Sequence, residues 1–278
     1  MQVVLDAPAL PEIAEAAAPA HIREIFAEIR QWTGVPVVAL IFRNLATFPG
    51  VIEEIWEALG PIFRTGQIQE VAWRVARETV PTDLLPPIEA NARAAIGLTG
   101  EAFDSLGNLL DSYNRANPVN LLSMLSLLAR MRAHGPARPV SADNWSPPTA
   151  VSSQFPPMTS LDAISPDLRR LINDLGFSDR STSTAIVPSL YRHLTDWPAY
   201  LAIIHVTLVP RFRDGSLARA AQQLQQVMIS EAAAIAAHIP PIRRLHAAQE
   251  VEATLTHFTT TVIPQMIVVG HAMKSALR

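Results

Sequence analysis

The chain repeats part of itself, and this duplication limits what it can fold into. LATFPGVIEEIW, which begins at Leu45, is echoed by LTDWPAYLAIIH, which begins at Leu194. At this spacing of 149 residues, nine of 24 consecutive positions are identical without a gap. The matched positions include the pairs Arg43 and Arg192, Pro49 and Pro198, Pro61 and Pro210, and Gly66 and Gly215. The pattern predicts two copies of one structural unit.

A proline-rich stretch separates the copies. Seven prolines fall in the stretch from His134 to Pro166 inclusive, where no amphipathic pattern is present. We therefore predict a linker at 134–164 between helical repeats at 20–133 and 165–277. Two such units can bury their apolar faces by packing pseudo-symmetrically on each other. The cleft between them is then the expected ligand site, because pockets favour such interfaces.

The hydrophobic periodicity is helical. In HIREIFAEIRQW the apolar residues recur at i, i+3, i+4 and i+7, as on one buried face of a helix, and PGVIEEIWEALG repeats this pattern. VPVVALIF could form a buried strand, but its counterpart in the second copy, VPSLYRHL, is more typical of a helix. The sequence therefore predicts an all-α fold made of two pseudo-symmetric repeats.

Composition excludes several kinds of chemistry. The chain has no cysteine, so it cannot form disulfides, iron–sulfur clusters or zinc–thiolate sites. Its 22 basic residues are scattered among 25 acids, which argues against nucleic-acid binding. His257 and His271 have no supporting carboxylate at metal-ligand spacing, so no metal site is expected. The absence of a long apolar run or signal-like start leads us to expect a cytoplasmic protein that spans no membrane.

Four segments in a fixed order resemble one enzyme family. These are LATFPG before a tryptophan-containing helix, ANPVNLL, the second-copy WP, and HFTTTVIPQMIVVGHAM. Over roughly residues 20–275 the chain resembles the group I 2-haloacid dehalogenases. The resemblance implies an all-helical, two-repeat and usually dimeric enzyme without cofactor or metal. It also implies that an aspartate activates a water, which displaces halide from a small 2-haloacid with inversion.

The resemblance carries individual positions onto this chain. The family's asparagine before proline falls on Asn117, and the serine beside its aspartate falls on Ser189. The aspartate position itself holds Leu190, and a leucine cannot deprotonate water. The family's site tyrosine falls on Phe258. The residues expected to line the ligand site are Val37, Leu40, Phe42, Asn117, Ser189, Leu190, Tyr191 and Phe258.

A replacement base can be sought near Leu190. His193 lies three residues after Leu190 and four residues after Ser189, so a helix would place all three on one face. Neutral histidine suits a base near pH 7, and Ser189 and His193 could form a nucleophile–base pair. The competing expectation is a partly exposed histidine paired with an acid. Asn117 likewise either caps a helix start before Pro118 or binds ligand, with neighbouring contributions possible from Tyr113 and Asn114.

The repeated arginines have two interpretations. Arg43 and Arg192 could each bridge carboxylates or carbonyls within their own repeat, or one could bind a substrate carboxylate bidentately. Three functions follow from the whole pattern. The first is a dehalogenase-like hydrolase or a diverged enzyme acting on a small carboxylate. The second is a non-catalytic small-carboxylate-binding protein, and the third is a helical interaction protein. A homodimer is expected from the resemblance alone.

Overall fold

The computed structural model describes residues 10–133, 135–140, 145–149, 156–175, 186–242 and 245–278. Over these residues the predicted all-α class is confirmed, because they form helices and turns but no β-strand. The helices of the first half are α1 (Ala20–Thr33), α2 (Leu40–Leu45), α3 (Val51–Phe63), α4 (Gln67–Thr79), α5 (Ala90–Ala95) and α6 (Gly100–Arg132). VPVVALIF is therefore not a strand: its first residues are irregular and the rest enters α2.

The second half has a similar order of elements. Its helices are α7 (Pro166–Leu175), α8 (Ser189–His193), α9 (Pro198–Arg213), α10 (Ser216–Ala236), α11 (Ala248–His257) and α12 (Ile263–Ala276). A π-helical segment, Phe258–Val262, joins α11 to α12. Short 3₁₀ turns lie at Glu15–Ala17, Leu161–Ala163 and Leu194–Asp196.

Helix α6 lies at the centre of the molecule. It packs against α4, α10 and α12, and its buried leucines join one continuous hydrophobic core with both halves. The sequence interpretation of Asn117 as a cap before a helix start is wrong, because α6 runs through Asn117 and Pro118. A proline inside a helix removes one backbone hydrogen bond. Here the packing of α6 against three other helices outweighs that loss.

Two glycines have the same backbone conformation at equivalent places in the two copies. Gly66 precedes α4 with φ 75°, and Gly215 precedes α10 with φ 74°. Both angles fall in the left-handed region that favours glycine. This agreement supports the duplication, whose boundaries remain a prediction.

The predicted linker is described only in part. Residues 134, 141–144 and 150–155 lie outside the described residues. The described part up to residue 160 has no regular secondary structure. Trp145 packs on Trp32, and its ring nitrogen donates to Glu70 at 3.0 Å, so this part of the linker lies against the first half.

Candidate functional site

A small cavity lies between the two halves of the chain. It encloses about 60 Å³ and is bounded by α2 and the residues before it, α6, α8 and the start of α12. Its polar lining consists of Ser112, Tyr113, Asn117, Asn120 and Ser189. Its apolar lining is Val37, Val38, Ala39, Leu40, Ile41, Ala116, Pro188, Leu190, Phe258, Val262, Ile263 and Met266.

The helical period explains how α6 supplies most of the polar lining. Tyr113, Ala116, Asn117 and Asn120 follow the i, i+3, i+4, i+7 spacing that places residues on one helix face. Asn120 is buried, with 2% of its surface exposed, and Tyr113 is also buried. One face of α6 therefore brings two amides and a phenol to the cavity.

The opposite wall comes from the π-helical segment and the turn that follows it. Phe258 and Val262 from this segment line the cavity together with Ile263 and Met266 of α12. Single π-helical turns inside longer helices are rare and are found frequently at functional sites. In this chain the π-helical segment supplies apolar wall residues.

Two amides in the cavity have no hydrogen-bond partner in the described part of the chain. The side chains of Asn117 and Asn120 make no hydrogen bond with another described residue, although each offers two donors and an acceptor. Buried polar groups are nearly always hydrogen-bonded, and leaving one unsatisfied costs about 1–3 kcal/mol. These amides therefore suit a ligand or water inside the cavity.

A chain of hydrogen bonds runs from the cavity into the core. Arg43 donates from Nη2 to the Ser189 hydroxyl at 3.3 Å and from Nη1 to the Val38 carbonyl at 2.6 Å. The Tyr113 hydroxyl lies 2.9 Å from Nδ1 of His193 and also hydrogen-bonds with the Ser189 side chain. The cavity wall is thus connected to an arginine on one side and a histidine on the other.

His193 sits behind the wall, not in the cavity. It is 1% exposed, and burial lowers its pKa to about 4, helped by Arg192 and Arg43 and opposed by hydrogen bonds to the Ser189 and Pro156 carbonyls. At neutral pH the ring is uncharged. The expectation of a partly exposed histidine paired with an acid is therefore wrong, since the ring is buried against Tyr113.

Burial also raises the pKa of the Tyr113 hydroxyl, so this group stays protonated at neutral pH. The positive charges of Arg43 and Arg192 partly oppose that shift. Their field therefore reaches the cavity wall.

The repeated arginines meet at a single carboxylate. Glu12 lies 2.6 Å from Nη2 of Arg43 through one oxygen and 3.1 Å from Nη1 of Arg192 through the other. The two guanidiniums are buried or nearly so, with 3% and 11% of their side chains exposed. The expectation that each arginine bridges groups within its own repeat is therefore wrong in one respect, because Glu12 joins the two. Both guanidiniums are occupied by protein groups.

The structure brings together most of the residues singled out from the sequence. Those that line the cavity are Val37, Leu40, Asn117, Ser189, Leu190 and Phe258. Phe42, Tyr191 and His193 are buried but do not line it. The Tyr191 hydroxyl has no hydrogen-bond partner among the described residues, and burial raises its pKa. The roles assigned to these residues remain predictions.

Asn120 and Glu12 are among the contributors that sequence reasoning missed. Asn120 follows Asn117 by three residues, a spacing that would have placed it on the same face had α6 been recognised as continuous through Pro118. Glu12 lies before the first repeat, and no local pattern marks it. The paired arginines were the available signal, because buried guanidiniums require a counter-charge.

Two features are absent from the described residues. No three histidine, aspartate or glutamate side chains among them are grouped closely enough to hold a metal ion. None of the described helices is long and apolar enough to cross a membrane.

The chain was compared with known proteins by sequence and by structure. No protein-family profile matches it, and no curated protein matches it by sequence. Solved structures do match. A D-2-haloacid dehalogenase mutant in complex with D-2-CPA superposes with a TM-score of 0.74 at 18% identity, over 97% of both chains. A D-2-haloacid dehalogenase in complex with L-LA gives 0.76 at 16% identity, again over 97% of both chains.

A third structure, of another mutant of such an enzyme, gives a TM-score of 0.75 at 16% identity, with the same coverage. Identity this low carries the fold and not the reaction. Coverage of nearly the whole of each chain means that both halves and their arrangement are shared. The chain therefore has a group I haloacid dehalogenase-like fold.

Proposed function

We propose that the cavity between the two halves binds a small 2-substituted carboxylic acid. The observation that carries this proposal is the pair of unpartnered amides, Asn117 and Asn120, facing an apolar wall. Amide N–H groups donate to carboxylate oxygens, and an apolar wall accepts an alkyl group or a halogen. A small molecule with a carboxylate at one end and an apolar substituent at the other matches this lining.

The charge behind the wall favours an anion. Arg43 and Arg192 share one carboxylate, Glu12, so this buried group carries a net positive charge. Arg43 also donates to Ser189, which lines the cavity. A positive charge in a low-dielectric interior stabilises a nearby anion more strongly than it would in water.

The size of the cavity limits the ligand. A volume of about 60 Å³ holds a few water-sized groups, since one water needs roughly 10–15 Å³ of such space. This suits an acid of a few carbons and excludes sugars, nucleotides and long fatty acids. Two of the structurally similar enzymes are complexes with D-2-CPA and L-LA, which makes small substituted acids the natural first probes.

Hydrolytic removal of a halogen is the second candidate function. It is favoured by the 2.9 Å contact between the Tyr113 hydroxyl and His193. In this reaction a water oxygen bonds to the halogen-bearing carbon while the carbon–halogen bond breaks and halide leaves. The water's proton passes to the Tyr113 oxygen as the phenolic proton passes to Nδ1 of His193. The products are a 2-hydroxy acid, halide and a protonated His193.

Ligand binding is better supported than hydrolysis, because the base next to the cavity is weak. Leu190 lines the cavity at the position where the related enzymes are expected to hold their aspartate, and it offers no proton acceptor. His193, with a pKa of about 4, is a weak base and must become charged inside the core. General-base catalysis commonly contributes about 10²- to 10⁴-fold and is most effective when the base has a pKa near the working pH.

The test measures halide release and binding together. The purified protein is given each enantiomer of 2-chloropropionate, with Leu190→Asp and His193→Gln variants alongside, and thermal shifts are recorded with the same acids. The binding proposal predicts a ligand-dependent rise in Tm for the native protein without halide release. Halide release by the native protein that is lost in His193→Gln would instead establish the hydrolytic function.

Both functions are overturned if neither the native protein nor Leu190→Asp shows a thermal shift or releases halide. That outcome would favour a helical interaction protein with a vestigial cavity. Light scattering during size-exclusion chromatography tests the expected homodimer independently, because it requires no ligand.

A further inference from the structure

A second concavity lies on another face of α6. This groove, which we call the basic groove, encloses about 760 Å³ between α4, α6, α12 and the linker residue Pro148. Its charged lining residues are Arg77, Asp111, Arg115, Lys274 and Arg278. Four cationic side chains thus share the groove with one acidic side chain, in a chain whose formal net charge is -3.

The helical period separates the basic groove from the cavity. On α6, Asp111, Asn114 and Arg115 follow the i, i+3, i+4 spacing of a face other than that of Tyr113 and Asn117. At the C-terminal end of the chain, the same spacing runs from His271 through Lys274, Ser275 and Arg278. No residue lines both concavities. The basic groove is therefore a distinct surface whose function cannot follow from that of the cavity.

The cations differ in how far the protein already occupies them. Lys274 contacts Asp111 at 2.8 Å, and Arg115 donates to the carbonyls of Gly34 and Thr149. The side chains of Arg77 and Arg278 make no hydrogen bond or ion pair with another described residue. Lys274 and Arg115 are therefore fixed in place, while Arg77 and Arg278 retain their full donor capacity for a ligand.

Two buried polar atoms in the lining also lack partners. They are Nε2 of His271 and Oδ1 of Asn114, neither of which has a hydrogen-bond partner among the described residues. Leaving such atoms unsatisfied is costly. The indole of Trp73 lines the groove beside them and is held by a 2.9 Å hydrogen bond to the Arg115 carbonyl.

We propose that the basic groove binds an organic phosphate, with its phosphate on Arg77 and Arg278 and its organic part against Trp73. A guanidinium group matches a phosphate with two parallel hydrogen bonds. A phosphate monoester carries close to two negative charges at neutral pH and suits this excess of cations better than a single carboxylate does. The groove has the volume of a typical small-ligand pocket, which is far larger than inorganic phosphate needs.

The test is calorimetric titration of the full chain with AMP, which joins a phosphate monoester to an aromatic base. In low-salt buffer we expect saturable binding with a Kd below about 1 mM, weakening as salt screens the charges. The double variant Arg77→Gln/Arg278→Gln should bind AMP about tenfold more weakly, since it loses two charge-assisted contacts. Arg23→Gln, an exposed arginine on α1, is the matched control and should bind like the native protein.

Comparison ligands and variants make the outcome decisive. Inorganic phosphate should bind more weakly than AMP, because it has no organic part to place on Trp73. Leu190→Asp should leave AMP binding unchanged, since Leu190 lines only the cavity. The proposal is overturned by absence of saturable AMP binding, by an equal loss in Arg23→Gln, or by citrate binding more tightly than AMP.

Discussion

Arg43 and Arg192, which lie 149 residues apart at matching positions of the two copies, bind opposite oxygens of the same carboxylate, Glu12. Because both guanidinium groups contact one carboxylate, two like charges lie close together and repel each other. One acid from outside both copies neutralises part of that charge. The contact also fixes Arg43, which in turn donates to Ser189 in the cavity wall.

Removing this carboxylate should destabilise the fold. In Glu12→Gln the two guanidiniums lose their shared counter-charge, and breaking a buried ion pair in this way costs about 3–5 kcal/mol. Urea unfolding of the native protein and the variant measures the loss. Glu252→Gln is the control, since its pair with Arg132 is exposed and worth about 1 kcal/mol or less. Equal losses in the two variants would show that the Glu12 carboxylate contributes no more to stability than an exposed carboxylate does.

The burial of His193 should make stability depend on pH. Its pKa falls from 6.5 to about 4 on folding, so between these values the unfolded chain binds more protons. The free energy of unfolding therefore decreases as pH drops through this window, by about 2 kcal/mol between pH 7 and pH 5. Urea unfolding at both pH values measures the difference.

The matched variants are His193→Gln, which should lose this contribution, and His21→Gln, which should retain it because His21 is exposed. His271 also has a lowered pKa, caused by burial, and adds a contribution of the same sign in every variant. Only the difference between native protein and variant therefore reports on His193. An unchanged pH dependence in His193→Gln would contradict the buried neutral ring.

The two glycines at matching repeat positions should respond unequally to alanine. Both have positive φ, which costs an alanine about 1–2 kcal/mol. At Gly66 the added Cβ would also lie 2.3 Å from the indole of Trp145, whereas at Gly215 it would meet only the flexible end of Arg219 at 3.2 Å. Gly66→Ala should therefore lower the free energy of unfolding more than Gly215→Ala does.

The Gly66 prediction has an internal control. If the indole causes the excess cost, Gly66→Ala should cost less when made in a Trp145→Ala background than in the native chain. Thermal unfolding of the single and double variants completes this double-mutant cycle. Additive effects would locate the cost in the backbone conformation alone.

Replacing the Asn120 amide should preserve or raise the stability of the protein but abolish ligand binding in the cavity. Asn120→Leu removes a buried polar group that has no partner among the described residues, so the unliganded variant should be as stable as the native protein or more so, by up to about 1 kcal/mol. The same change should abolish the Tm shift caused by 2-chloropropionate. Asn44→Leu is the contrasting variant, because Asn44 donates to the Pro11 carbonyl at 2.7 Å and its loss should destabilise. Destabilisation by Asn120→Leu would mean that its amide is already satisfied.

Much of the architecture can be predicted from the sequence. Helical periodicity is visible within one segment, and duplication is visible when the sequence is compared with itself. The run from Ile22 to Ile29 predicts a buried helix face, and the structure buries Ile22, Phe26 and Ile29 there. The rest depends on tertiary packing. Proline at position 118 favours a helix start locally, and only the surrounding helices hold α6 continuous through it.

The candidate site is likewise predicted only in part from the sequence. Six of the residues expected at the ligand site line one cavity, because a shared fold preserves their positions. His193 lies behind that cavity, since the five-residue helix α8 turns its ring towards Tyr113. The distance between a side chain and a cavity depends on the rotation of a short helix, which helical spacing alone does not determine.

The π-helical segment at Phe258–Val262 determines the direction, around the helix axis, in which the later side chains point. In an α-helix each residue advances the chain by about 100°. A π-helical turn takes up one residue more than an α-helical turn. If the same residues formed a regular α-helix, everything beyond them would turn by about that angle, so Met266 would leave the cavity and Lys274 would leave the basic groove together. One irregular turn thus keeps two separate surfaces in register.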